Sequence, residues 1–96
     1  MELLVTYDVA TDSPDGQRRL RRVAQVCQSF GQRVQKSVFE CSVNETDKER
    51  LVARLLKCID EETDSLRIYR LPEPRQRNLE VYGLDHYVDF KGPLIT

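Results

Sequence analysis

Asp8 closes the run Leu3-Leu4-Val5-Thr6-Tyr7-Asp8, and its placement invites chemistry: a carboxylate at the mouth of an apolar strand. A lone carboxylate is a poor metal site and a poor general base. Any metal or acid-base chemistry at this position therefore needs a partner from elsewhere. The plainer reading of Asp8 is a capping or turn carboxylate at a strand end. The chain carries no Ser/His/Asp or Cys/His pairing, no glycine-rich phosphate loop and no pair of metal-binding histidines. His86, the only histidine, lies in the tail. Cys27, Cys41 and Cys58 are odd in number, have no C-x-x-C spacing and fall within or beside apolar patterns. They read as buried thiols rather than zinc ligands or disulfides. Catalysis, if any, is expected to rest on carboxylate and metal.

The second feature is R-R-L-R-R, in which Arg18, Arg19, Arg21 and Arg22 flank Leu20, and Arg33 and Lys36 follow shortly after. Arg18 and Arg22 share one helical stripe. The planar guanidinium fork suits phosphate oxygens, so these residues read as a track for the nucleic-acid backbone that carries no sequence code. The bland alternative is a solvated helix face. With 15 basic and 16 acidic residues the net charge is −1, so the basic character is local and not a global field.

The elements that must position these residues follow from pattern and punctuation. Ninety-six residues, 40% hydrophobic and 32% charged, make one globular domain with a modest core. No apolar run approaches the roughly 18 residues of a membrane span, and no signal segment precedes the first strand. A cytoplasmic protein with no membrane partner is expected. Ser13-Pro14 starts a helix, whose apolar face is Leu20, Val23, Ala24, Cys27 and Phe30, and Gly31 is expected as its left-handed C-cap. Two strands pivoting near Gln35 to Ser37 follow. Thr46 and Glu49 suggest a capping box for a second helix bearing Leu51, Val52, Leu55, Leu56 and Ile59. The acidic cluster Asp60, Glu61, Glu62 and Asp64 reads only as loop solvation. Leu66 to Leu71 is a strand closed by Pro72 and Pro74, and Leu79 to Tyr82 is a further short strand candidate. The tail, with Tyr87, Val88, Phe90, Leu94 and Ile95, is too apolar to be a solvated end. The string is an α+β, ferredoxin-like β-α-β-β-α-β arrangement with an extra C-terminal strand, in which residues 1–83 form the domain and 84–96 a tail packing on the dimer or a partner.

The stretches L-V-T-Y-D-V, G-Q-R-V-Q-K-S-V-F-E, D-S-L-R-I-Y-R-L and V-D-F-K-G-P-L-I together resemble the small CRISPR-associated adaptation protein family, the second of the two universal spacer-acquisition subunits. The likeness runs over essentially the whole chain. It implies a homodimer in which the first strands of two protomers face each other across a two-fold axis, so that Asp8 meets its own symmetry mate. Two such carboxylates would hold one Mg²⁺ or Mn²⁺. It further implies that Tyr7, Ser37 and Phe39 support the site, that Arg18 or Arg19 and Arg33 lie among the nucleic-acid contacts, and that the extra strand adds to the partner's sheet. The expected function is CRISPR adaptation: a subunit of the spacer-integration complex that binds duplex DNA and docks the integrase subunit, with metal-dependent endoribonuclease or double-stranded DNase activity at the paired Asp8. The alternatives are a non-catalytic scaffold and a toxin-type messenger-RNA nuclease of the same fold. A ferredoxin-like RNA-binding module would need paired exposed aromatics that the strands lack, and a small-molecule regulatory domain would leave R-R-L-R-R unexplained.

Overall fold

A computed structural model describes residues 1–85 and residue 87. Its elements are β1 (Glu2–Asp8), α1 (Pro14–Phe30), β2 (Gly31–Gln35), β3 (Val38–Ser42), α2 (Glu45–Cys58), β4 (Ser65–Leu71) and a short 3-10 turn (Arg75–Asn78). The sheet order is β2-β3-β1-β4 and every neighbouring pair is antiparallel. This is the ferredoxin-like arrangement expected from the sequence.

The alternation along β1 sorts the two faces of the sheet. Leu3, Val5 and Tyr7 are buried. Opposite them in register stand Cys41 and Phe39 of β3, so these side chains share the face that α1 and α2 cover. Val23, Val26 and Cys27 of α1 and Leu51 and Leu55 of α2 complete the core. Leu4, Thr6, Glu40 and Tyr69 alternate onto the opposite, open face. Cys27 and Cys41 are the buried thiols expected, while Cys58 is only half-buried. Burial pushes the Cys27 thiol up to about 12, so it is inert at neutral pH.

Helix α1 starts as its sequence dictates. Ser13 is extended, its hydroxyl accepts from the Gly16 amide at 3.1 Å, and Pro14 occupies the first helical position. Its end differs from expectation. Gly31 has φ −166° and ψ −159°, extended rather than left-handed, and is the first residue of β2. Glycine is needed there for close approach, because a Cβ would overlap the Glu40 carbonyl oxygen and Cys41.

Helix α2 also starts elsewhere than expected. Asn44, not Thr46, is the N-cap, and its side-chain oxygen accepts from the Asp47 amide at 2.8 Å. Thr46 and Glu49 lie inside the helix, so T-D-K-E is not a capping box. Two overlapping cap signals compete within N-E-T-D, and the earlier one wins because an asparagine in extended backbone satisfies an orphan amide two residues sooner.

The stretch Leu79 to Tyr82, expected as a strand, pairs with no strand among the described residues. After Pro72 and Pro74 the chain turns through the 3-10 segment and sets Arg75 and Leu79 against the open face of the sheet, beside Leu4 and Glu40. Within this chain the segment therefore lies over the open face, beside Leu4 and Glu40. His86 and the tail residues Val88, Phe90, Leu94 and Ile95 lie outside the described residues.

Candidate nuclease site and nucleic-acid surface

Asp8 is exposed at the end of the central strand, paired in register with Ser65 of β4. Alternation places it with Leu4 and Thr6 on the open face. Its neighbour Tyr7 points into the core, where its ring stacks on the fully buried Phe39 at 6.2 Å and 26°. The Tyr7 amide donates to the Ser37 carbonyl at 3.1 Å, and its hydroxyl reaches the Lys36 carbonyl at 3.5 Å. Burial raises the Tyr7 pKa, with Arg33 opposing. The β2–β3 turn is thus pinned against the end of β1. Tyr7, Ser37 and Phe39 support the Asp8 strand end through ring stacking and backbone bonds.

On the far side of Asp8 the expected loop solvation gives way to a built cluster. The Asp64 side chain is 0% exposed. Its Oδ1 accepts from the Ala10 amide at 3.1 Å, and its Oδ2 accepts from Arg19 Nε and from the Asp60 amide, both at 2.9 Å. Thr63 adds a bond at 3.2 Å. Burial works against the charge, but the bonds from Arg19, the Asp60 and Ala10 amides and Thr63 outweigh it and lower the pKa to about 2. Arg19, expected as a phosphate contact, is committed to this cluster and only 22% exposed.

The remaining cations stay available on the surface. Arg18 makes a solvent-exposed pair with Asp15 at 3.5 Å, of the kind that contributes little. Arg22, Arg33 and Lys36 are exposed. Arg33 lies over the Phe39 ring at 5.1 Å. A groove of about 860 Å³ runs between α1 and β2, bounded by Leu20, Arg21, Arg33, Lys36 and Tyr7, and no carboxylate lines it among the described residues. Arg21, one of the four arginines of the R-R-L-R-R run, lies on this surface. It adjoins Leu20 on the edge of the apolar face.

A second pair also went unforeseen. Arg75 donates to Glu40 Oε2 from Nε at 2.9 Å, with both side chains 8% exposed. The guanidinium carbon lies 3.6 Å from the centroid of the Tyr87 ring. Neither residue was singled out from the sequence, because a separation of 35 positions leaves no local signal.

Among the described residues no three Cys, His, Asp or Glu side chains converge as metal ligands. Asp8 offers the hard oxygen donor that Mg²⁺ or Mn²⁺ requires, but one chain supplies one such carboxylate at this position. The donor set fits a divalent ion only when a second copy brings another.

Comparisons with known proteins bear on the fold and the family of the chain. The family model described as CRISPR associated protein Cas2 matches residues 1–79. The chain belongs to the Cas2 family. It is 60% identical over 95 residues to a Moorella thermoacetica protein named CRISPR-associated endoribonuclease Cas2 1, and 50% identical over 95 residues to a Halalkalibacterium halodurans protein named CRISPR-associated endonuclease Cas2. Each alignment covers 99% of both chains. The crystal structure of Streptococcus pyogenes Cas2 superposes with a TM-score of 0.78 at 52% identity, covering 86% of this chain and 100% of that one. The Cas2 relatives' names thus divide between ribonuclease and unspecified nuclease. Among the described residues of this Cas2-family chain, no helix is long and apolar enough to cross a membrane.

Proposed function

We propose that this chain acts as a homodimer in CRISPR adaptation, binding duplex DNA within the spacer-integration complex and cleaving phosphodiesters with a divalent ion at the paired Asp8. The observation that carries the reading is the exposed Asp8 carboxylate at the end of the central strand, on the sheet face that the helices leave open. A two-fold axis near that position doubles every residue beside it, so two protomers supply the donor pair that one lacks. When bound, Mg²⁺ or Mn²⁺ supplies Lewis-acid polarisation of a phosphoryl oxygen and lowers the pKa of water. The chain's own part is to hold Asp8 in place through Tyr7 and Phe39, and to seat the nucleic-acid backbone on Arg18, Arg21, Arg22, Arg33 and Lys36. Segregation of function follows the fold: carboxylates at the axis, cations on the outer helix and hairpin.

The test is cleavage of labelled duplex DNA and single-stranded RNA with Mg²⁺ or Mn²⁺, comparing wild type with Asp8→Asn at matched dimer state. Metal-dependent cutting that disappears in the variant is expected, and the better substrate names the nucleic acid. Equal cutting by both proteins overturns Asp8 as the centre. No cutting by either, with duplex binding retained, leaves a DNA-spanning scaffold.

A further inference from the structure

The residue immediately after the Asp8–Val9 step is held from two sides. Its amide is taken by Asp64, which Arg19 neutralises. Its carbonyl oxygen lies so close to Gly16 of α1 that a Cβ there would overlap it. Asp64 also precedes Ser65, the register partner of Asp8 itself. One buried carboxylate thereby ties together β4, the α2–β4 turn through the Asp60 amide, helix α1 through Arg19, and the peptide two residues past Asp8. This is more bonding than a surface turn needs. Its acceptors are fully used, and the charge is compensated without help from solvent.

We propose that the Arg19–Asp64 pair is a positioning device for Asp8: it anchors the chain at Ala10, so that the strand end leaves β1 in one direction and the Asp8 carboxylate is presented to its symmetry mate in one geometry. This rests on the reading of Asp8 as a divalent-ion ligand. Arg19 consequently serves the site from behind and does not track phosphate. Groups that orient a ligating carboxylate typically alter metal affinity or activity by about 10–100-fold when removed.

The experiment uses the full chain as Asp64→Asn and as the double variant Arg19→Ala/Asp64→Ala, which leaves no unpaired charge buried. Amide hydrogen exchange reads the anchor, and Mn²⁺ affinity by electron paramagnetic resonance reads its consequence, beside kcat and KM for nucleic-acid cleavage. In the double variant the Ala10 amide is expected to lose at least about tenfold in protection while the Leu3 to Tyr7 amides stay within about twofold. Mn²⁺ affinity and kcat are each expected to fall by about 10–100-fold with KM unchanged. Unaltered protection at Ala10, or lost protection with unaltered Mn²⁺ affinity, overturns the proposal. Failure of the underlying reading looks different: Asp8→Asn would then bind Mn²⁺ as wild type does.

Discussion

At the scale of single residues, the two buried ion pairs set the largest expected effects. Glu40 and Arg75 are almost fully enclosed, so removing one partner strands a charge in a place water does not reach. Arg75→Ala is expected to cost about 3–5 kcal/mol in urea unfolding. Glu40→Leu/Arg75→Met, which removes both charges, is expected to recover most of that loss. A single variant as stable as wild type would show that the pair is solvated. The same residues mark the limit of what the sequence disclosed. Asp8 was legible because an apolar run stops abruptly on it, and Tyr7 and Phe39 were singled out through the resemblance of L-V-T-Y-D-V and G-Q-R-V-Q-K-S-V-F-E to the family. The pairs Arg19–Asp64 and Glu40–Arg75 were not legible, because they join residues 45 and 35 positions apart and neither partner carries a local signal. The acidic run after α2 looked like solvation because Asp64, its buried member, acts across the tertiary structure.

At the scale of elements, α1 presents one face to the core and another to solvent. Leu20, Val23 and Cys27 turn inward, while Arg18, Arg21 and Arg22 are exposed. Arg18→Ala/Arg22→Ala is expected to weaken duplex binding about equally for all sequences and to reduce the slope of log affinity against log salt by about 2. Titration at several salt concentrations checks this, and an unchanged slope removes these arginines from the phosphate track. The elements themselves were largely readable. Apolar spacing at i, i+3, i+4 and i+7 located both helices, and Ser13-Pro14 placed the start of α1 to the residue. The ends were harder. Gly31 reads equally as a cap or as a close-approach residue, and only the position of Cys41 against it decides. Asn44 and Thr46 are both good caps, two residues apart, and the backbone conformation at Asn44 settles the matter.

At the scale of the whole molecule, the proposed assembly turns on the open face and the segment that crosses it. Tyr82 and Leu84 are each 84% exposed, and Tyr69 is 44% exposed on β4. Large apolar side chains this accessible call for a covering surface. Truncation after Gly83 is expected to leave a folded dimer that no longer co-elutes with the integrase subunit on size exclusion. Retained co-elution would refute a docking role for the tail.

The strand order has a temporal side. β1 lies between β3 and β4, so the first strand synthesised is the last to gain both neighbours. Its pairing with β3 becomes available once residue 42 exists, but its other edge stays open until β4 ends at Leu71. Closing contacts of such long sequence separation form late and slowly. Asp8 is made almost at once, yet Ser65 and Asp64, which fix its surroundings, arrive some fifty-odd residues afterwards. A nascent chain therefore carries the Asp8 carboxylate long before it carries the residues that surround it.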